Sequence, residues 1–253
     1  MLFMGIDVGT QGVRCIVVDE HGAPAAAHSE QFKALNIARE AGRYEQNPGD
    51  WLAATRNCIR ACTSELSNPE EISTISIDGT SGTILALDEN NVPLTNGIMY
   101  NDPRAREEAG LVHGAMGALE RKLGYRFGAS FSLPRILWIK RNLPEIYEKT
   151  KLFAHQADYV AGMLSGVYNV SDYSNALKTG YDLLEKRWPE ETEQSLGIER
   201  SKLPKIIAPG EAYANVSPAA AKELGLPRCA ALRHRSPKGC VVRWKMLRLQ
   251  PSK

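Results

Sequence analysis

Gly5-Ile6-Asp7-Val8-Gly9-Thr10-Gln11-Gly12-Val13-Arg14-Cys15-Ile16-Val17-Val18-Asp19-Glu20-His21-Gly22 is the stretch of this chain that decides its fold. An apolar run (Leu2, Phe3, Met4, Ile6) enters Asp7 and a Gly-Thr turn. A second run (Val13, Cys15, Ile16, Val17, Val18) leaves it for Asp19 and the Glu20-His21-Gly22 turn. Two such strands around a small-residue loop predict a hairpin, with glycine available for positive-φ positions. The turn carries the chemistry. Asp7 ends the first strand, and a carboxylate there suits a hydrated divalent cation, because magnesium takes one or two carboxylates and leaves its other positions to water and phosphate. Gly9, Thr10, Gln11 and Gly12 offer backbone N–H groups and a hydroxyl to phosphate oxygens, and Arg14 adds a fixed cation. Neither common nucleotide loop is present: there is no Gly-x-x-x-x-Gly-Lys-Ser/Thr, and no Gly-x-Gly-x-x-Gly leading into a helix. Taken alone, the segment also fits an ordinary hairpin with an Asp and a Gly in its turn.

At 253 residues, with 43% hydrophobic and 24% charged residues, the chain has the composition of a soluble globular protein able to bury a sizeable core. No apolar run reaches the roughly 18 residues of a membrane span. The N-terminus enters a strand without a basic leader, so a cytoplasmic, unsecreted protein is expected. Five cysteines form no framework, which fits a reducing compartment. Cys58 and Cys62 lie at helical spacing, which reads as a buried helix face or as half of a metal site without a second pair.

The net charge of +2 conceals a break. Residues 228–253 hold eight of the 31 basic residues and none of the 29 acidic ones, leaving 23 against 29 in residues 1–227. Such a tail is a candidate nucleic-acid or membrane-surface arm. The abrupt change and the lost periodicity favour out-of-frame or otherwise non-native sequence. Two parts are therefore expected: a lobe over 1–227, and a basic tail over 228–253 that is not a domain and does not pack into the core. The acidic body without a nucleic-acid motif argues against a nucleic-acid partner, and no membrane partner is expected.

Residues 23–32 predict a third strand, and a helix opens at Asn47-Pro48-Gly49-Asp50 with Asp50 as N-cap. Trp51, Leu52, Ala54, Thr55, Cys58, Ile59, Cys62 and Leu66 give that helix its apolar stripe. Residues 71–77 and 83–87 read as strands on either side of Asp78-Gly79-Thr80-Ser81-Gly82. Helices are expected over 103–122, 134–142, 144–149, 158–165, 189–196 and 218–224. Gly110, Gly114 and Gly117 weaken the middle of the first of these, so it reads as two helices or as partly loop. The layout is α/β, a mixed sheet with helices against it.

Three further segments join the opening Gly-x-Asp-x-Gly-Thr: the strand–turn–strand of 75–88, Met99-Tyr100-Asn101-Asp102-Pro103-Arg104-Ala105, and Ala157-Asp158-Tyr159 through Ser171-Asp172-Tyr173-Ser174-Asn175-Ala176. In this order and spacing they resemble the N-terminal half of an FGGY-type carbohydrate kinase, a group that includes glycerol kinase, xylulokinase and D-ribulokinase. The resemblance covers roughly residues 1–227. It implies a ribonuclease-H-like lobe of the actin/hexokinase type, with sugar and ATP meeting in a cleft between this lobe and a second one. Xylulokinases carry Gly-Gln-Met-His-Gly where this chain has Gly79-Thr80-Ser81-Gly82-Thr83, and glycerol kinases an Arg-Glu pair at Ser81 and Gly82. The wording here, with residues 172–181, is closest to D-ribulokinase-like members. Tyr100 stands where many relatives have Trp.

The resemblance implies a role for each matching residue. Asp7 is the organiser of metal and phosphate, holding magnesium through water. Thr10, Gln11 and Gly12 form the loop that meets the transferring phosphate of ATP, and Arg14 lies near the nucleotide phosphates. Thr80 and Ser81 match a sugar-contacting position. Asp102 accepts hydrogen bonds from sugar hydroxyls, with Arg104 orienting it. Each has a plainer alternative: Asp102-Pro103 also reads as a helix start, Ser81 as a turn residue, and Asp172 and Asn175 as capping groups. A homodimer is an assembly open to the complete protein.

Phosphoryl transfer also needs a group that accepts the hydroxyl proton. In the relatives this is an Asp in a Gly-Thr-x-Asp-type segment soon after the point matching Leu226-Pro227. Here that region reads Arg-Cys-Ala-Ala-Leu-Arg-His-Arg-Ser-Pro-Lys-Gly-Cys, without an acid, so no general base is assigned. Two expectations stand: a kinase of a sugar or polyol, such as D-ribulose or D-xylulose, whose truncated lobe is inactive alone, or a non-catalytic sugar-binding or partner-binding lobe.

Overall fold

The computed structural model describes residues 1–38 and 40–234. Its first half runs β1 (Leu2–Val8), β2 (Gly12–Asp19), β3 (Pro24–Gln31), β4 (Glu45–Gln46), α1 (Pro48–Glu65), β5 (Ile72–Gly79), β6 (Ile84–Leu87) and β7 (Gly97–Ile98). The second half is more helical: α2 (Arg106–Leu123), α3 (Ser132–Asn142), α4 (Pro144–Lys149), β8 (Leu152–His155), α5 (Gln156–Ser165), β9 (Val170–Asp172), α6 (Tyr173–Lys178) and α7 (Glu191–Gln194). It closes with β10 (Lys205–Ile207), β11 (Ala212–Asn215), α8 (Pro218–Leu224) and β12 (Ala231–His234).

The opening hairpin forms as its alternation predicts, with Leu2 opposite Asp19 and Val8 opposite Val13. It sits inside a six-stranded mixed sheet of order β11-β12-β5-β1-β2-β3, in which β1–β5 and β5–β12 are parallel. Met4, Ile6 and Val8 of β1 and Val13, Cys15 and Val17 of β2 are buried at every second position. Against them packs α1 through Trp51, Ala54, Cys58, Ile59 and Cys62. Cys58 and Cys62 are thus core thiols on a buried helix face. Each fully buried side chain of this size stabilises by about 1.5–3 kcal/mol. A second core lies between the four-stranded sheet β4-β7-β6-β8 and helices α2, α3 and α4.

Three local expectations are corrected. The N-cap of α1 is Asn47, whose side chain accepts from the Gly49 N–H; Pro48 occupies the first turn and Asp50 lies inside the helix. Helix α2 starts at Arg106, past Pro103, and runs unbroken to a left-handed Gly124. Gly110 and Gly114 lie on its open face with nothing within 4 Å of where a Cβ would stand, so they lower propensity without breaking the helix. The segment expected as a helix over 189–196 forms only the short α7.

The expected boundary after Pro227 also moves. Strand β12 lies between β5 and β11, and Ala230, Leu232 and His234 point into the core at period two. Arg233, on the opposite face, donates to the Gly210 carbonyl. Charge alone misplaced this run, because its basic side chains face away from the core. Residues 235–253 of the expected tail lie outside the described residues. Among the described residues, no helix is long and apolar enough to cross a membrane.

Candidate active site

The hairpin turn is held from behind. The Gly9 N–H donates to the Gly12 carbonyl at 2.9 Å and closes the turn, and the Phe32 N–H donates to the Gln11 carbonyl at 3.0 Å. Gln46 Nε2 donates to the Thr10 carbonyl at 2.8 Å, while its Oε1 accepts from Trp51 Nε1 at 2.9 Å. A trans peptide points its N–H opposite to its C=O, so tying the Thr10 carbonyl inward turns the Gln11 N–H outward. The N–H groups of Thr10 and Gln11 have no partner among the described residues. Of the expected cradle, these two amides remain for an anion. Gly12 serves a different purpose: a Cβ there would stand 2.1 Å from the Glu30 carbonyl, so only glycine allows β3 to approach.

Asp7 stands directly opposite Arg14 across the hairpin and directly beside Asp78 on β5. Arg14 Nη1 lies 3.6 Å from Asp7 Oδ2, with both groups reaching solvent. Burial pushes the Asp7 carboxyl above its usual range, the neighbouring Asp78 charge pushes the same way, and Arg14 opposes both. Asp78 accepts from the Gly79 N–H at 2.8 Å. Sequence reasoning passed over this second carboxylate, because its proximity to Asp7 comes from a parallel pairing distant in the chain. Hard oxygen donors with excess negative charge fit a magnesium ion held partly by water and phosphate. Among the described residues no cluster of three or more Asp, Glu, His or Cys forms a full metal cage.

The Thr80 N–H reaches the Val8 carbonyl (3.2 Å) and Gln156 Oε1 (3.0 Å), and the Thr80 hydroxyl also leans on Val8. Thr80 therefore fastens the end of β5 to the end of β1. The half-buried Ser81 hydroxyl makes no hydrogen bond to the described residues. Gly82 takes a left-handed φ of 89°, and a Cβ on it would lie 2.6 Å from the Ser130 carbonyl and 3.4 Å from Tyr100 Cβ. A hollow of about 490 Å³ is lined by turn residues 9–14, by β3 residues 29–31 and by Tyr100. The exposed Tyr100 thus faces the hairpin turn across this hollow.

Asp102 and Arg104 lie elsewhere. The Asp102 side chain is fully buried, and its two oxygens accept from the Tyr44 N–H (2.6 Å) and from Arg104 N, Nε and Nη2 (2.9, 2.8 and 2.7 Å). That fills the acceptor capacity of a carboxylate. These contacts make Asp102 the organiser of its own turn. Burial opposes its charge, but the Arg104 and Tyr44 donors hold the carboxyl below its usual range. Arg104 is committed to Asp102 and to Glu45 (2.7 Å), and stacks over Trp138. Asp102 also starts no helix. Asp172 does, accepting from the Ser174 and Asn175 N–H groups as the N-cap of α6.

These features match known proteins. The model of the FGGY family of carbohydrate kinases, N-terminal domain, matches residues 2–230. The xylulose kinase of Bacillus subtilis is 30% identical over 227 residues, which cover 88% of this chain and 45% of that protein. The xylulose kinase of Escherichia coli is 27% identical over 227 residues, 89% of this chain and 46% of its own. The ligand-bound xylulose kinase structure from Lactobacillus acidophilus superposes with a TM-score of 0.85 at 22% identity, covering 96% of this chain and 49% of the other. That likeness fixes the ribonuclease-H-like, actin-type lobe. The chain spans about half the length of the relatives it matches. By its sequence over residues 2–230, it belongs to the FGGY family of carbohydrate kinases, whose N-terminal domain it carries.

Proposed function

We propose that the complete protein phosphorylates a ketopentose, D-ribulose ahead of D-xylulose, at its terminal primary hydroxyl using Mg-ATP in the cytoplasm. The observation that carries this reading is the Asp7–Asp78 pair at the strand ends beside turn 9–12, a turn that faces Tyr100 across a hollow. Relatives named xylulose kinase support the sugar class. Ser81 and Gly82, small where glycerol kinases have an Arg-Glu pair, favour a ketopentose over glycerol. Mg-ATP bound here would supply the electrophilic phosphoryl group. Asp7 and Asp78 would hold the waters of the metal, the free N–H groups of Thr10 and Gln11 would hold phosphate oxygens, and Arg14 would balance their charge. Ser81, Tyr100 and the neighbouring Asn101 would orient the sugar.

We further propose that the 253-residue chain alone transfers no phosphate and acts as a sugar-binding lobe. Residues 228–253 contain no Asp or Glu to accept the hydroxyl proton, and that deficit alone costs about 10²–10⁴-fold. A coupled ADP-release assay on the purified chain tests this. No sugar-dependent release is expected, with D-ribulose and D-xylulose still binding more tightly than glycerol by calorimetry. Sugar-dependent release that disappears in Asp7→Ala would make the chain a working kinase. Translation of the neighbouring reading frame beyond codon 227 tests the reading of the tail, with a Gly-Thr-x-Asp segment expected there.

A further inference from the structure

Helix α3 buries Leu133, Ile136, Leu137 and Ile139, and in the midst of them Arg135, whose exposure is 0%. Among the described residues no carboxylate pairs with it. A buried cation without a counter-ion is costly, and because Nε finds no acceptor among the described residues, only the two amino groups of the fork offset that cost. Burial pushes this guanidinium down to about 10, with Asp102 nearby opposing the shift, so it stays charged at neutral pH. A leucine or methionine would fill the same volume without that cost.

What the guanidinium holds is specific. Nη1 donates to the Gly82 carbonyl at 2.6 Å and to the Phe131 carbonyl at 3.3 Å. Nη2 donates to the Tyr100 carbonyl at 2.5 Å and to the Asp102 carbonyl at 3.4 Å. The two amino groups of the fork therefore reach two different turns, one closed by Thr83 N–H to the Thr80 carbonyl and the other by Asp102 N–H to the Met99 carbonyl. Lysine, with one ammonium, cannot span them. Gly82 is wedged between Ser130 and Tyr100, so fixing both carbonyls fixes the distance between Ser81 and the Tyr100 ring.

We propose that Arg135 is a positioning residue that locks the turn carrying Ser81 and the turn carrying Tyr100 into one sugar-facing wall. This rests on the reading of Ser81 and Tyr100 as sugar contacts. The test compares the full 253-residue chain with R135K and R135M by amide hydrogen exchange and by calorimetry with D-ribulose and with D-xylulose. Expected is faster exchange of both the Thr83 and Asp102 amides, by at least about tenfold, with β1 and β2 unchanged. Sugar affinity should fall by at least about tenfold alongside it. Unchanged exchange at either amide, uniform acceleration across the chain, or failure of both variants to fold would overturn the lock. If the parent chain binds neither sugar, the sugar-binding reading falls and exchange alone decides whether the lock exists. If sugar binds R135K as tightly as the parent while both turns loosen, the positioning role is overturned.

Discussion

Asp7 and Asp78 stand side by side at the ends of two parallel strands, although 71 positions separate them in the chain. Burial, reinforced by their mutual repulsion, raises the Asp7 carboxyl above the ordinary aspartate value of 3.8. A carboxylate whose folded pKa is raised weakens the fold as it ionises: the stability present below pH 3.8 is lost as pH rises through the folded value. Asp7→Asn should therefore melt higher than the parent chain at pH 7, and the two curves should converge as pH falls toward 3.8. Magnesium should raise the melting temperature of the parent and leave that of Asp7→Asn unmoved. Equal magnesium responses would remove Asp7 from the metal site.

The glycines separate by the space around them. Gly12→Ala would drive a Cβ into the Glu30 carbonyl and to 2.8 Å from Gln31 Cα, both backbone atoms. Urea unfolding should show a loss of about 1–3 kcal/mol or more, because β3 has to move. Gly110→Ala, in open space within α2, should instead stabilise by about 0.5–1 kcal/mol. A neutral Gly12→Ala would mean that β3 is held less tightly than its pairing with β2 implies.

Local pattern made the hairpin, α1 and the Pro-led helices α4 and α8 legible, since alternation, helical stripes and proline at the first turn act within a few residues. Long-range pairing hid the rest. Nothing near Asp78 announces Asp7, and nothing near Gln46 announces the Thr10 carbonyl it holds. Nothing in the Asn101-Asp102-Pro103-Arg104 run announces that the fork of Arg104 draws the Asp102 carboxylate under the surface. The charge count misplaced β12, because two apolar side chains and one histidine at alternate positions suffice to seat a short strand.

Gln46 joins the core to the hairpin turn. Gln46→Leu would remove the donor to the Thr10 and Leu35 carbonyls and the acceptor for the buried Trp51 indole. An orphaned buried N–H costs about 1–3 kcal/mol, so a stability loss of that size is expected by urea unfolding. Amide exchange at Phe32, whose N–H meets the Gln11 carbonyl, should quicken in the same variant. A quiet Phe32 amide would show that β2 and β3 hold the turn without Gln46.

Asp102 and Ser81 should separate stability from recognition. Asp102→Ala leaves the buried Arg104 with only Glu45, and breaking a buried ion pair costs about 3–5 kcal/mol. Because the Asp102 carboxyl is held below the ordinary aspartate value of 3.8, its contribution is present above that pH and is lost as pH falls through the lowered folded value. The gap between parent and Asp102→Ala should therefore stay constant from pH 7 down to pH 3.8 and close only below it. Ser81→Ala, which removes a hydroxyl without a described partner, should change stability by less than about 0.5 kcal/mol. It should nevertheless weaken ketopentose binding measurably by calorimetry. The reverse pattern, with Asp102→Ala stable but unable to bind sugar, would return Asp102 to the pocket and make its pairing with Arg104 secondary.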